Sequence, residues 1–402
     1  MAGNSQSAQL LHVGAALVAS SVEGLRTSPV AEGGPPDEPE DATAAAECNA
    51  EKRPVHVVLV TGSSGFLGQH IVRLLQEGKE LPTVREIRLL DTRPYRNSLG
   101  HGTSVPMKET VASVCNAQAV KAAFEGVDCV IHCASLIDVG FFPDAKLMEE
   151  VNVQGTRNVI EACVDQNVSL LVFTGTVSTD HNPSSKRECS EMHCYPGPYG
   201  ETKQNAAKLV MAASGRVLAN GKKRLRTLIL RQTPIYGEQD QMCITHIMQY
   251  AGLTMNKLVK VGKGFQIMYV GNAASAHLCG LRALSENPKI SGRAFTITDD
   301  TPADMYEFMR PFLACRGFDV FPIAMPYPVA LLLSILLTLL LVLVRPFFKL
   351  WTPLMTPSAV TYACYAPFLD GSDARVALSY KPRFSVEECV RRSLPYYRTV
   401  KL

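Results

Sequence analysis

Apolar runs of strand length alternate with helical patterns between residues 55 and 231, and this alternation constrains the fold more than any other feature. The candidate strands are largely continuous apolar runs, at residues 55–61, 86–91, 127–133, 169–175 and 226–231. Helical patterns lie between them, at residues 69–76, 117–124, 151–163 and 199–213. Strands that are apolar on both faces are typical of a parallel sheet covered by helices on both sides. The sequence therefore predicts an α/β fold with a Rossmann-type, doubly wound parallel sheet.

The alternation weakens after residue 231, where proline, glycine and aromatic residues become frequent. Ligands of doubly wound sheets bind at the carboxyl ends of the strands, so we expect this region to form a smaller C-terminal substrate cap there. A capping box at residues 385–388 predicts a last helix. The predicted organisation is a disordered leader at 1–53, a sheet domain at 54–231, a region at 232–327 that is mainly cap with a return to the sheet, an apolar segment at 328–351, and a C-terminal cap segment with the final helix at 352–402.

Composition narrows the functional classes. Hydrophobic residues make up 47% of the chain, charged residues 19%, and the net charge is +3, which disfavours a wholly disordered chain and a nucleic-acid partner. The 12 cysteines form no CxxC pair and no Cys/His zinc spacing, so we predict no metal site and a reducing compartment. Only the first 53 residues, rich in Ala, Ser, Gly, Pro and acidic side chains, have the composition of a disordered segment.

Residues 329–344 form a 16-residue run without a charged side chain. As a helix this run would be about 24 Å long, which is shorter than the roughly 30 Å hydrocarbon core of a bilayer. Three interpretations stay open: a short span that recruits Phe347, Phe348 and Trp351, a monotopic helix in one leaflet, and a buried helix of a soluble core. Because leucines surround the whole helix, the pattern favours a membrane-associated helix. Basic residues lie on both flanks of the run, so its orientation stays open.

A glycine-rich turn joins the first strand to the first helix. Gly62 allows a tight turn, Gly65 lets the backbone approach a pyrophosphate, and Gly68 permits close packing of helix and strand. The start of the helix offers free N–H groups and the positive end of its dipole. We therefore predict a dinucleotide phosphate site formed by Gly62, Ser64, Gly65, Phe66, Leu67 and Gly68.

Asp91 ends the second strand, 23 residues after Gly68. A carboxylate at this place accepts hydrogen bonds from the ribose hydroxyls of adenosine and repels a 2′-phosphate, which predicts NAD as the cofactor. Arg93 and Arg96 follow closely and could reach a phosphate, so NADP stays an alternative.

Tyr199 and Lys203 are four residues apart on one face of a predicted helix. A neighbouring cation lowers the pKa of a phenol, so Tyr199 could remove the proton of a substrate alcohol while Lys203 holds the nicotinamide ribose. The end of the preceding strand supplies Thr176 and Ser178, and one of their hydroxyls could orient the substrate oxygen. These residues predict an oxidoreductase that acts on a CH–OH group.

Several motifs together resemble an extended short-chain dehydrogenase/reductase, and within that superfamily the 3β-hydroxysteroid dehydrogenase/Δ5-Δ4 isomerase family. They are the glycine turn, the Tyr-x-x-x-Lys pair, DCVIHCAS at 128–135, VNVQGTRNV at 151–159, RQTPIYGE at 231–238, YVGNAASAH at 269–277 and YKP at 380–382. The resemblance covers roughly residues 55–395. We interpret Asn152, inside one motif, as a structural tie between a helix start and a neighbouring strand.

The resemblance implies oxidation of a 3β-hydroxyl on a steroid or sterol with NAD, in many members followed by a shift of the ring double bond. It implies Tyr199 as the catalytic acid/base, Lys203 as its partner and Thr176 as the orienting hydroxyl. It also implies an endoplasmic reticulum membrane with the catalytic domain in the cytosol, or a mitochondrial membrane, and suggests a homodimer.

The sequence departs from the family pattern at three places. Gly175 stands within a motif that is usually Thr-Ser-Ser, Ala112 and Ser113 replace the usual Gly-Asp near the adenine, and Gln232 replaces a proline beside the nicotinamide. Two alternatives therefore stay open: a decarboxylating 4-carboxysterol 3-dehydrogenase, and a non-catalytic sensor that binds NAD or a sterol. The sequence assigns no residue to an isomerase step and does not identify the sterol.

Overall fold

Parallel strands form the main layer of the molecule in the computed structural model, which describes residues 55–177, 197–345, 347 and 355–402. In chain order the strands are β1 Val57–Thr61, β2 Glu86–Asp91, β3 Met107–Val111, β4 Cys129–His132, β5 Leu170–Thr176, β6 Arg226–Gln232, β7 Ile235–Tyr236, β8 Lys257–Val261, β9 Met268–Tyr269, β10 Arg293–Ile297 and β11 Asp319–Met325. The predicted leader at 1–53, Ser178, Phe348 and Trp351 lie outside the described residues.

The α-helices lie between these strands and after them. They are α1 Phe66–Glu77, α2 Ala117–Ala123, α3 Ala145–Met148, α4 Gly155–Asp165, α5 Pro198–Ala212, α6 Ile244–Leu253, α7 Val270–Glu286, α8 Met305–Ala314, α9 Tyr327–Val344, α10 Pro357–Tyr365, α11 Ser372–Ala377 and α12 Val386–Thr399. A π-helical segment, Glu149–Gln154, joins α3 to α4.

Seven of the strands form one sheet in the order β10-β6-β5-β4-β1-β2-β3, and every neighbouring pair is parallel. The strand order reverses at β1 and β4, which is where ligands of such sheets bind. The predicted fold class is thus confirmed. The edge strand β3 was not predicted because its residues are half-exposed or exposed, with Lys108 and Glu109 in its centre, so it lacks an apolar run.

Alternate residues of the central strands enter two separate cores. Val58, Ile131 and Val172 belong to the core that α1 and α7 cover, whereas Leu59 and Phe173 belong to the core on the other face, with α2, α4 and α5. Both faces of the sheet are therefore apolar, as the continuous runs predict. The first core continues into the cap and α12, where the Ser385 hydroxyl accepts a hydrogen bond from the Glu388 N–H at 3.3 Å, as the capping box predicts.

Helix α9 contains the predicted apolar run. Among the described residues it is the one helix long and apolar enough to cross a membrane, with a mean hydropathy of 2.7 and 17% of its residues buried. Its buried residues are Ala330, Ser334 and Leu341, which form one narrow stripe. A soluble core helix would be buried on most of its surface, so this exposure disfavours the third interpretation of the run.

Candidate active site

A cavity of about 1170 Å³ lies at the carboxyl edge of the sheet. Its floor is formed by the ends of β1, β2, β4, β5 and β6 and by the start of α1. Its roof is the cap, with residues from α6, β8, α8 and α10. All the predicted site residues line this cavity: Gly62, Ser64, Gly65, Phe66, Leu67, Gly68, Asp91, Thr176, Tyr199 and Lys203.

The glycine turn is tight enough to exclude side chains at two places. Gly62 has φ +70°, and a Cβ there would lie 2.8 Å from the backbone nitrogen of Ala134. A Cβ at Gly68 would lie 2.1 Å from the carbonyl oxygen of Gly62. Both glycines therefore permit backbone contacts that alanine would not, which agrees with the roles expected for a tight turn and for close helix packing.

The amino end of α1, which is the positive end of its dipole, lines the cavity. No side chain caps the helix at Gly65, and its first turn contains no acidic residue, in a helix that is described throughout. The first N–H groups of a helix have no partner within the helix and carry a partial positive charge. Backbone groups at this turn thus fit a pyrophosphate.

Asp91 lies beside the turn, at the end of β2. Its carboxylate accepts hydrogen bonds from the backbone N–H groups of Ser64 and Arg93, both at 3.0 Å. Asp91 therefore also holds the turn in place, a role that sequence reasoning missed. The Arg93 Nε atom lies 3.9 Å from Asp91 Oδ1, and the Arg93 side chain is 66% exposed. Arg96 lines the same cavity, so the 2′-phosphate of NADP would have two cations nearby.

Tyr199 lies in the first turn of α5 and hydrogen-bonds to Thr176. Burial raises the pKa of Tyr199 to about 12, while the hydrogen bond with Thr176 opposes the rise. The expectation that a neighbouring cation gives Tyr199 a lowered pKa is wrong for this arrangement, because burial outweighs every favourable contact. Thr176 thus contacts Tyr199, and its hydroxyl favours the phenolate.

Lys203 is buried one turn further along α5. Its Nζ atom donates a hydrogen bond to the carbonyl oxygen of Thr174 at 2.8 Å and lies 4.3 Å from the centre of the Phe173 ring. Burial lowers the pKa of Lys203 to about 8. Thr174 and Phe173 were not predicted as partners, and the signal available was only their place on the strand that precedes the Tyr-x-x-x-Lys helix.

Asn152 connects the loop after β4 to the start of α5. Its side chain accepts a hydrogen bond from the Leu136 N–H at 2.8 Å and donates one to the Thr202 hydroxyl at 3.1 Å. The same hydroxyl donates to the carbonyl oxygen of Tyr199 at 3.1 Å. These bonds agree with the structural role expected of Asn152. They hold Thr202, the residue next to Lys203.

Gln232 faces the cavity from the end of β6, directly opposite Thr176 in the strand pairing. Its Oε1 atom is buried and has no hydrogen-bond partner among the described residues. Ala112 and Ser113 also line the cavity, at the end of β3. The three departures from the family pattern thus lie around the same cavity, since Gly175 lines it too.

The walls of the cap are mostly apolar, and sequence reasoning did not name them. They include Ile247, Phe265, Met305, Met309, Met355 and Val360. Asp240 also lines the cavity, but its buried carboxylate accepts hydrogen bonds from the backbone N–H groups of residues 242–244 and from the Tyr397 hydroxyl. It therefore acts as a structural cap at α6 rather than as a free charge.

A smaller cavity of about 200 Å³ adjoins the first one. Tyr199 and Val139 line both cavities. The other walls come from the loop after β4, the start of α5, Thr338 in α9 and the start of α10. The end of the main cavity that contains Tyr199 is therefore close to α9.

The parallel sheet, the glycine turn and the Tyr-x-x-x-Lys pair define the chain as a short-chain dehydrogenase/reductase of the extended type. The model of the 3-beta hydroxysteroid dehydrogenase/isomerase family matches residues 59–324, and the chain belongs to this family. The sequence is 34% identical to 3 beta-hydroxysteroid dehydrogenase type 7 of Mus musculus over 370 residues, which are 87% of this chain and 97% of the mouse protein.

Solved structures show the same fold. The dTDP-glucose 4,6-dehydratase DesIV of Streptomyces venezuelae, with NAD bound, has a TM-score of 0.60 at 21% identity and covers 85% of this chain and 97% of its own. The UDP-glucuronic acid 4-epimerase of Bacillus cereus, in complex with NAD, has a TM-score of 0.58 at 17% identity, with coverages of 85% and 98%.

Proposed function

We propose that this protein is a membrane-associated dehydrogenase that oxidises the 3β-hydroxyl of a sterol or steroid with NAD. The observation that carries the proposal is one cavity that contains the glycine turn and the Tyr199–Thr176 pair under an apolar cap. Family membership and the mouse relative's name support the substrate class.

The residues around the glycine turn fit a dinucleotide. The uncapped start of α1 would hold the pyrophosphate, and Asp91 would accept from the adenosine ribose hydroxyls. Oxidised nicotinamide, when bound, supplies the acceptor for the hydride that leaves the substrate carbon. Lys203 would hold the nicotinamide ribose, since its Nζ atom is anchored at Thr174 and keeps donor capacity.

Tyr199 would accept the proton of the substrate hydroxyl, and Thr176 would orient the same oxygen. Because burial raises the pKa of Tyr199 to about 12, the tyrosine is protonated near neutral pH in the absence of other charges. The hydrogen bond from Thr176 stabilises the phenolate and so keeps the pKa of Tyr199 from rising further. Asn152 and Thr202 would hold the start of α5, and with it Tyr199, in place beside the cavity.

The apolar cap would bind the ring system of the substrate. A rigid, largely apolar ligand gains affinity from burial against Phe265, Met305 and Val360, and needs few polar contacts away from the reacting hydroxyl. A nucleotide sugar would demand many polar contacts, whereas the described walls of the cap are mostly apolar.

The membrane part of the proposal rests on α9. Its apolar side chains are mostly exposed, and leucines with more than half of their surface accessible include Leu332, Leu336, Leu339 and Leu343. We place the contact at the endoplasmic reticulum, with the sheet domain in the cytosol, and include a homodimer, on the strength of the family resemblance. An exposed apolar surface of this kind is typical of a lipid or protein contact.

The test is NADH formation by the full-length protein in vesicles, offered a panel of 3β-hydroxysteroids, sterols and 4-carboxysterols with NAD or NADP. We expect NAD-dependent turnover of at least one 3β-hydroxysteroid or sterol. Release of carbon dioxide would identify the decarboxylating alternative, and absorbance of a conjugated ketone would reveal isomerisation. NAD binding without turnover of any compound would contradict the proposal and favour a sensor.

A further inference from the structure

The two ends of α9 contact the same globular body. At the start, Tyr327 packs beside the small core formed by Val261 of β8, Ala330 and Val360. At the end, the Arg345 guanidinium lies 4.5 Å from the centre of the Phe142 ring, in the loop after β4. Ala330 and Arg345 are about 22 Å apart along a helix with a rise of 1.5 Å per residue. The helix axis therefore runs along the surface of the body and does not project away from it.

Helix α10 returns beside α9 in the opposite direction. The Tyr327 ring at the start of α9 lies 5.0 Å from that of Tyr365 at the end of α10, whereas Thr338 shares the smaller cavity with residues 356–358 at the start of α10. The other side of α10 lines the main cavity with Ala359 and Ala363. The antiparallel pair thus lies flat over the cap.

The chain after α10 stays on the body that contains the sheet. The Leu369 N–H donates to the Gln266 side chain at 2.8 Å, and the Phe384 N–H donates to that of Asn272 at 2.9 Å. If α9 crossed a bilayer along its axis, its contacts at both ends would draw the loop that carries Asp138 and Asp144 into the hydrocarbon. Burying such charges in lipid is costly.

We infer that α9 lies in one leaflet, parallel to the membrane plane, with the stripe of Ala330, Ser334 and Leu341 against the protein and the opposite leucines in the acyl chains. The inference deepens the proposed membrane contact and rests on it. Helices that lie in an interface usually have a polar face. In α9 the face that would otherwise meet water packs against the protein through Ala330, Ser334 and Leu341, which explains how a helix without charges can lie flat. Because Thr338 and Tyr199 line the same smaller cavity, the leaflet lies next to the catalytic end of the site.

Single tryptophans read by brominated lipids of known depth test this orientation. Trp351 is the one tryptophan of the chain, so Trp351→Phe gives a silent full-length background. Into it we would introduce tryptophan singly at Leu332, Leu336, Leu339 and Leu343, which lie on one outward stripe at spacings of three and four residues. A matched control is Lys208→Trp, on an exposed part of α5 far along the chain from α9.

A flat helix predicts equal depths for the four tryptophans and no quenching of the control. A spanning helix predicts that Leu336→Trp is deepest and that Leu343→Trp lies about 10 Å nearer the surface, from the rise per residue. The second profile overturns the inference while leaving the membrane contact intact. Absence of quenching at all four positions overturns both the inference and the membrane contact, and NADH formation, measured on the same variants, shows separately whether the dehydrogenase proposal holds.

Discussion

The cofactor half and the substrate half of the cavity are built differently. The cofactor half uses neighbours in sequence: the glycine turn and the start of α1 are one continuous stretch, and Asp91 is bonded directly to it. The substrate half brings together Phe265, Met305 and Val360, which belong to three separate segments. The comparison teaches that cofactor binding at the glycine turn depends largely on local geometry at the strand ends, whereas substrate choice depends on long-range packing of the cap.

The two halves also differ in electrostatics. Where the halves meet, Lys203 and Tyr199 are buried titratable groups whose pKa values burial shifts. In the cap, the buried Asp240 already accepts several hydrogen bonds, although burial raises its pKa. Charge is therefore available beside Tyr199, whereas the described walls that would hold a sterol are mostly apolar.

The largest effect is expected from Gly68→Ala in the glycine turn. A Cβ there would lie 2.1 Å from the Gly62 carbonyl oxygen, so backbone must move. We expect loss of NAD binding and a decrease of about 1–3 kcal/mol in the free energy of unfolding, the usual range for overpacking. Calorimetry and NAD titration would measure both. Gly102→Ala, where nothing lies within 4 Å, is the control, and equal effects of the two variants would contradict the account.

A change in the cap should separate the two halves. Phe265→Ala removes an aromatic wall that contacts the Tyr362 ring at a centroid distance of 5.2 Å. Burial of such a side chain is worth about 1.5–3 kcal/mol, so we expect the KM for the sterol to rise about ten- to a hundredfold. The KM for NAD should stay unchanged. A parallel rise of both constants in steady-state kinetics would break the division between the halves.

Thr176→Val tests the pair that joins the halves. The hydrogen bond from Thr176 lowers the pKa of Tyr199, so its removal raises that pKa further and the rise of kcat/KM with pH should move to higher pH. A net hydrogen bond of about 0.5–1.5 kcal/mol corresponds to a roughly two- to tenfold loss of rate near neutral pH. Thr176→Ser keeps a hydroxyl and should retain the wild-type pH profile. An unshifted profile in the valine variant would show that Thr176 does not act on Tyr199.

Lys203→Arg is expected to have the smallest effect near neutral pH. Burial lowers the pKa of Lys203 to about 8, so the ammonium form is lost as the pH rises through that value, and the affinity for NAD should fall with it. Arginine stays charged throughout this range. The variant should therefore bind NAD with an affinity independent of pH, although weaker because of its different shape. NAD titrations at a series of pH values would test this prediction. A wild-type affinity for NAD that does not change with pH would contradict the assignment.

The sheet was predictable from sequence because each central strand is a continuous apolar run next to a turn. The glycine turn and the Tyr199–Lys203 pair were also readable, because their spacing alone brings them onto one turn or one helix face. Edge strand β3 was missed since its polar residues Lys108 and Glu109 carry no strand signal.

Long-range contacts could not be predicted from the sequence. The hydrogen bond from Lys203 to the Thr174 carbonyl joins residues 29 positions apart, and no local pattern specifies it. For the same reason the pKa of Tyr199 was mispredicted, because sequence spacing describes the neighbouring cation but not the burial. The sequence predicted the cap as a region, but it did not identify the apolar residues that line the cavity.

The measurement that tests the central claim most directly uses Tyr199→Phe in the full-length protein in vesicles, with NAD and the sterol that the wild type turns over. The phenol alone is removed, so binding of NAD and sterol should be retained, while kcat should fall about 10²- to 10⁴-fold, as for loss of a general acid/base. Retained turnover in this variant would contradict the account, because it would show that the proton leaves the substrate by another route.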